Sequence, residues 1–166
     1  FMRRIGLMSD THGFIDPKIY DYFKDVDEIW HAGDVGTLDV IDELKKFKPL
    51  RGVYGNIDGA EIRSEFNEFE FFNCEEVSVL LTHIGGKPGY YQNNVREKIM
   101  ELNPKLFICG HSHILLVKMD SNFDMLWMNP GACGYKGFHQ VKTLIRFSIT
   151  RERIHDLEVI ELGKRI

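Results

Sequence analysis

Five short clusters of metal-capable side chains punctuate the sequence: Asp10-Thr-His12, Gly33-Asp34, Gly55-Asn56, Thr82-His83 and Gly110-His111-Ser-His113. Together they offer two carboxylates, one carboxamide oxygen and four imidazoles. A mixed nitrogen and oxygen set suits Mn²⁺, Fe, Zn²⁺ or Ni²⁺, whereas Ca²⁺ and Mg²⁺ prefer all-oxygen shells. Seven donors are too many for one tetrahedral ion. If Asp34 bridges, they divide into four and four, as a two-metal site requires. Residues two apart on an extended segment point the same way, so Asp10 with His12 and His111 with His113 can each act as a pair. Taken singly, each cluster has an ordinary explanation as a helix cap or a turn. Five of them, each at the end of an apolar run, point to one shared site.

The elements that would carry these clusters read as follows. Arg4–Asp10, Glu28–Asp34 and Leu50–Asn56 are short apolar runs that end in polar loops, as buried strands do. Between them, Pro17–Val26 has helical spacing with Pro at its first turn, and Thr37–Phe47 places Leu38, Ile41, Leu44 and Phe47 on one helical face. This β-α-β-α-β order implies parallel strands with right-handed crossovers. Further on, "FEFF", "EVSVLLTH", "LFICGHSH", "ILLVKM" and "DMLWMNPG" read as strands and Asn93–Leu102 as a helix. The C-terminal "KTLIRFSIT" and "IHDLEVIEL" alternate as antiparallel strands would. The expected fold class is α/β, with two mixed sheets packed face to face and helices outside. Ligands in open α/β sheets bind beyond the carboxyl ends of strands, so the clusters should meet on one rim.

Bulk properties narrow the function. With 166 residues the chain fits one domain, taken as residues 2–166, large enough for a real core. A formal net charge of −4, with no basic tract and no aromatic-basic interleaving, gives no footprint for nucleic acid or an anionic membrane. Cys74, Cys109 and Cys133 are too scattered for a disulfide framework and sit among apolar or small residues, which reads as buried reduced thiols. The N-terminal "FMRRIGLMSD" lacks an apolar stretch of signal-peptide length, and no segment could span a bilayer. The expectation is a cytoplasmic protein, with a homo-oligomer left open.

The ordered set of clusters resembles the pattern of the calcineurin-like metallophosphoesterase superfamily: D-x-H, G-D, G-N, H and G-H-x-H. The resemblance runs from Asp10 to Asn129-Pro-Gly131. The small size looks most like the short YfcE-like phosphodiesterase branch. It implies a four-layer αββα sandwich and a dinuclear centre of two divalent transition metals, with Mn expected first. By that pattern Asp10, His12, Asp34 and His113 would hold one ion, and Asp34, Asn56, His83 and His111 the other. Asp34, Asn56 and His83 would bear most directly on catalysis. The implied reaction is in-line attack by a metal-bound hydroxide on the phosphorus of a small phosphate ester.

Two departures shape the expected activity. Many superfamily members continue Gly-Asn-His, with the His stabilising phosphoryl oxygens or protonating the leaving group. This chain has Ile57 there, which can do neither, so a phosphodiesterase or a phosphatase of activated esters is expected. Gly85 replaces a second His common in the short branch, and Lys87, Tyr90 and Tyr91 follow in a Gly-rich loop that could line a pocket. Lys136 and His139, after Asn129-Pro-Gly131, are candidate phosphate contacts. His31 could support the ligands from behind, Asp58 could cap the next segment or orient neighbours, and His155 is given no role. The competing function is a non-catalytic interaction module, as in the retromer subunit that shares this fold. All seven donor positions being filled weighs against it.

Overall fold

A computed structural model describes residues 1–166. Strand patterning explains its layers. In β1 (Met2–Met8), Ile5 and Leu7 enter one apolar cluster while Met8 enters another. β2 (Glu28–His31) splits Trp30 from Ile29 in the same way. β5 (Val77–Thr82) splits Val79 and Leu81 from Leu80. Successive strand side chains point to opposite faces, so strands that are apolar on both faces must be covered on both.

One sheet has the order β10-β9-β1-β2-β3, with β3 at Leu50–Gly52, β9 at Val141–Thr150 and β10 at Arg153–Lys164. β1, β2 and β3 run parallel, while β9 is antiparallel to β1 and to β10. The other sheet has the order β4-β5-β6-β8-β7, where β4 is Phe69–Cys74, β6 Leu106–Ile108, β7 Leu116–Asp120 and β8 Met125–Asn129. Its middle strands β5, β6 and β8 are parallel, and both edge strands are antiparallel. Ile5, Leu7, Trp30 and Phe147 of the first sheet meet Val79, Leu81, Ile108 and Met128 of the second in an apolar interlayer. Full burial of each such side chain contributes about 1.5–3 kcal/mol.

Helices cover the two outer faces. α1 (Lys18–Tyr22), α2 (Leu38–Phe47) and α3 (Ala60–Glu65) place Ile19, Ile41, Leu44 and Ile62 on the first sheet. α4 (Asn93–Leu102) places Val95 and Ile99 against Leu80, Phe107 and Trp127 of the second. The expected αββα sandwich is therefore the observed fold. Two elements differ from the pattern reading. The helix expected over Pro17–Val26 stops at Tyr22, because Phe23 leaves helical geometry and accepts the Val26 amide in a tighter turn that still buries both side chains. α3 was not expected; at six residues, with Ile62 its one buried side chain, it is too short to show a period. No helix is long and apolar enough to cross a membrane.

Candidate metal centre

The loops after β1, β2, β3, β5 and β6 share one rim, and the backbone there is unusual. Asp10, His12, Asp34, His111 and His113 all have positive φ, between 47° and 70°. Non-glycine residues rarely take this conformation, which costs energy and recurs where a site is held in place by its surroundings. Asp and His tolerate it better than branched residues, which fits the residue types found. The motif glycines make room for carboxylates of other loops. A Cβ on Gly55 would collide with Asp34 Oδ1, and one on Gly110 with Ser9 Oγ and Asp10 Oδ2. The Gly-Asn and Gly-His spellings thus have a packing cause as well as a donor role.

Six of the donors form two groups, Asp10-His12-His113 and Asp34-His83-His111, each with ligand atoms within 4.8 Å of one another. Asp10 Oδ1 lies 3.2 Å from His113 Nε2, 3.7 Å from His12 Nε2 and 3.9 Å from His83 Nε2. Asp34 Oδ2 lies 3.2 Å from His83 Nε2 and 3.4 Å from His12 Nε2, so this one oxygen reaches both groups. Asn56 Oδ1 sits 3.0 Å from His111 Nδ1. Asp10 Oδ1, His12 Nε2 and His83 Nε2 are buried and make no hydrogen bond. Leaving such atoms unpaired is costly, and converging lone pairs are what a cation would satisfy. The donor set fits two borderline divalent ions.

Electrostatics agree with that fit. Burial alone would raise the Asp10 carboxyl, but the neighbouring imidazoles of His113, His12 and His83 and the Ser9 hydroxyl hold it well below the usual range. Burial opposes ionisation of Asp34 too, and the His83 partner outweighs it, leaving a lowered value. His83 is the counterpart: burial disfavours its cation, yet Asp34 and Asp10 raise its value. The two carboxylates thus favour a positive partner at this point, as a bound cation would be.

Surrounding residues set the tautomers. His83 Nδ1 donates to Ala32 O at 2.7 Å, which turns Nε2 to the centre. His139 Nε2 donates to Gly134 O at 2.7 Å, so its Nδ1 accepts from His113 Nδ1 at 3.2 Å and leaves His113 Nε2 facing Asp10. His139, a candidate phosphate contact by sequence, has both ring nitrogens engaged in backing His113. His31, which the sequence left between a supporting role and simple packing, is buried and bonded to two loops of the centre. Its Nδ1 accepts the Gly33 amide and its Nε2 bonds Thr11 Oγ1, while burial pushes it down to about 4. Ser9 Oγ donates to Asp10 Oδ2 at 2.6 Å.

Two bracing residues stand out. Asp58 does not cap α3, whose N-cap is Gly59. Instead its carboxylate accepts the amides of Val35, Gly36 and Gly55 at 3.1, 2.9 and 2.8 Å, tying the Asp34 loop to the Asn56 loop. Asn129 Nδ2 donates to Gly110 O and Ser112 Oγ, clamping the His111–His113 loop to the end of β8. Sequence reading took Asn129 only as part of a loop; the signal available was an amide at a strand end directly before Pro130 and Gly131. Ile57 offers its main-chain N–H to Asp34 Oδ1 at 3.1 Å and exposes its side chain. Lys136 is exposed in the 134–140 loop, and His155 on β10 bonds Thr150 of β9 and its neighbour Asp156. The three cysteines are free and buried.

Known proteins sharpen the reading. The model of the calcineurin-like phosphoesterase superfamily domain matches residues 2–152. A protein of Methanothermobacter thermautotrophicus named "Probable metallophosphoesterase" is 32% identical over 133 residues, covering 77% of this chain and 76% of its own. In structure the chain is similar to Vacuolar Protein Sorting 29 from Cryptosporidium parvum, at a TM-score of 0.75 and 18% identity over 99% of this chain and 100% of the other. It is also similar to a Streptococcus pneumoniae protein described as a predicted phosphoesterase, at a TM-score of 0.69 and 19% identity over 97% and 98%.

Proposed function

Since the chain belongs to the calcineurin-like phosphoesterase superfamily, we propose that it is a phosphodiesterase, or a phosphatase of activated phosphate esters, working with two divalent ions and Mn²⁺ first among them. The observation that carries this is the convergence of three buried, unpartnered atoms, Asp10 Oδ1, His12 Nε2 and His83 Nε2, between two groups of donors. Two ions bound there would polarise phosphoryl oxygens, neutralise developing charge and make water nucleophilic at neutral pH.

The chain's own residues supply the rest. Asp10, His12 and His113 would hold one ion and Asn56, His83 and His111 the other, with the Asp34 carboxylate shared. Asn56 contributes a neutral oxygen, which avoids a third carboxylate beside two that are already held ionised. The hydrogen bonds that His83 gives to Ala32 O and His113 gives to His139, with the one Asp10 accepts from Ser9, keep these donors oriented. No protein nucleophile is needed. No side chain that donates a proton stands at position 57, so leaving groups must depart as stable anions. Buried reduced thiols accord with a cytoplasmic setting.

A second reading, a protein-interaction module without catalysis, is permitted by the shared fold of Vacuolar Protein Sorting 29. One experiment separates the two. The metal content of the purified protein is measured, then hydrolysis of bis(p-nitrophenyl) phosphate with added Mn²⁺, for the wild type and Asp34→Asn. The proposal expects bound metal and turnover in the wild type and background rates in the folded variant. Equal turnover in both proteins, or none in a metal-loaded wild type, would overturn it.

A further inference from the structure

A small polar cavity adjoins the metal centre. Its volume is about 230 Å³, and Asn56 and His83, two of the seven donors, stand in its wall. A substrate held at those donors therefore has this space beside it. Drug-sized sites measure about 300–1,000 Å³, so the cavity suits a short substituent. Thr82, Gln92 and Asn94 make the wall polar, and Ile84 is its one aliphatic side chain. Two charged side chains, Arg63 and Glu68, complete the chemistry of the lining.

Arg63 reaches the cavity from the last turn of α3, and it is held there. Its Nε donates to Asp58 O at 2.7 Å, and its guanidinium carbon lies 4.4 Å from the centre of the Tyr54 ring. Tyr54 and Asp58 flank Asn56 on the chain, and the Asp58 amide closes their turn onto Gly55 O at 3.1 Å. The Arg63 side chain thus runs along the turn that presents Asn56. Its terminal nitrogens make no hydrogen bond or ion pair within the protein, which leaves the outer edge of the fork free. Glu68 does not neutralise it. That side chain is exposed and pairs with no cation, and the contact Glu68 makes is through its main-chain oxygen, which accepts from Thr82 Oγ1 at 3.1 Å. A guanidinium fixed at Nε and stacked on an aromatic ring loses little freedom on binding, and its planar edge matches the paired oxygens of a carboxylate or phosphate.

We propose that this cavity receives the substituent of the phosphate ester, and that the substituent carries an anionic group, a carboxylate or a second phosphate, which Arg63 grips. The inference rests on the phosphoesterase reading above and deepens it by naming the substrate class. The reacting phosphoryl group sits at the seven donors, and the second anion lies a short spacer away at the free edge of Arg63. The amides of Gln92 and Asn94 serve polar atoms between the two. A hydrocarbon substituent would strip water from the guanidinium and the amides without replacing its hydrogen bonds, so it is disfavoured.

The test uses metal-loaded protein and non-hydrolysable phosphonates whose dissociation constants are measured by calorimetry. Propylphosphonate, 3-phosphonopropionate, ethane-1,2-diphosphonate and 2-aminoethylphosphonate share one spacer and end in methyl, carboxylate, phosphonate and ammonium. At least one anionic end should bind about 10-fold tighter than the methyl end, and the ammonium end should bind weakest. Whichever anion binds tighter identifies the group that the cavity takes. Arg63→Gln should bring the anion-to-methyl ratio near one while bound metal and propylphosphonate affinity stay unchanged. Arg63→Lys should restore part of the ratio. Arg151→Ala should keep all of it, because Arg151 follows the end of β9 that pairs with Met2, at the opposite end of β1 from Asp10. A ratio near one in the wild type, or a preference that survives Arg63→Gln, overturns the anion subsite. An equal loss for every phosphonate in Arg63→Gln places Arg63 on the reacting phosphoryl group, and a loss of bound metal makes it a brace of the Asn56 turn; either result also overturns the subsite. Failure of every phosphonate to bind metal-loaded wild type overturns the phosphoesterase reading instead.

Discussion

The seven donors divide by burial, and the halves are built differently. Asp10, Asp34 and His83 are almost sealed, at 0–3% exposure, and every one is fixed by a hydrogen bond with its surroundings. Asn56 and His111 lie open to solvent, with His12 and His113 between the extremes. The sealed half rests on strand ends of the sandwich and on Asp58, which ties two loops through three amides. The open half rests on loop-to-loop contacts such as Asn129 with Gly110. The sealed half therefore sets what the centre can bind, in the low-dielectric surroundings where charge matters most. The open half decides what can approach, and Ile57, directly after Asn56, exposes an apolar side chain there.

The largest test of this contrast removes the brace. Asp58→Ala leaves three buried or half-buried amides without an acceptor, each costing about 1–3 kcal/mol, with less than full additivity. A loss of about 3–5 kcal/mol is expected, which lowers the melting temperature by about 10 °C for a chain of this size. Metal affinity should fall with it, because the loops of Asp34 and Asn56 are no longer tied. Thermal unfolding and a metal titration read both effects, and an unchanged melting temperature would break the assignment of Asp58 as the brace.

A smaller effect follows from His31, buried and held down at about 4 against 6.5 for a free imidazole. The folded chain keeps it neutral, while the unfolded chain protonates below pH 6.5. Its stabilisation is complete above that pH and is lost progressively as pH falls toward 4, about 3 kcal/mol in all. Urea unfolding of metal-free protein at pH 7 and 4.5 should show this loss. His31→Asn should be weaker at pH 7 and fall less between the two conditions. Parallel losses in both proteins would place the acid sensitivity elsewhere.

The two halves were also unequally legible in the sequence. The strands, the sandwich and the five donor clusters stand in the order of residues, because period-two apolar runs and strand-end polar clusters are local signals. Asp58 and Asn129 were not legible as braces, since apart from Gly55, three residues before Asp58, their partners lie 22–23 and 17–19 residues away in sequence and are backbone groups or a serine. His139 was misjudged for a related reason: only the Gly134 carbonyl, five residues back, fixes its tautomer and turns it toward His113. α3 carried too few turns to show a period. What pattern reading lacked was the cross-loop geometry that converts donors into a site.

The smallest expected effect tests the open half alone. Ile57 is 47% exposed, and its structural contribution is its main-chain N–H, which donates to Asp34 Oδ1. Ile57→His keeps that amide and places an imidazole at the mouth of the centre, with little change in stability, as for most exposed positions. A well-placed general acid contributes about 10²–10⁴-fold. A grafted one lacks the surrounding hydrogen bonds that aim it, so about 10-fold is expected for alkyl leaving groups and less than about 2-fold for p-nitrophenolate. The measurement is a leaving-group series on metal-loaded protein. The wild type should show a steep dependence on leaving-group pKa and the variant a shallower one, with the difference confined to the poor leaving groups. Equal gains across the series would mean that the histidine acts on binding or on the metals. A flat dependence in the wild type would mean that the open half already contains an acid, and the division of labour between the halves would have to be redrawn around it.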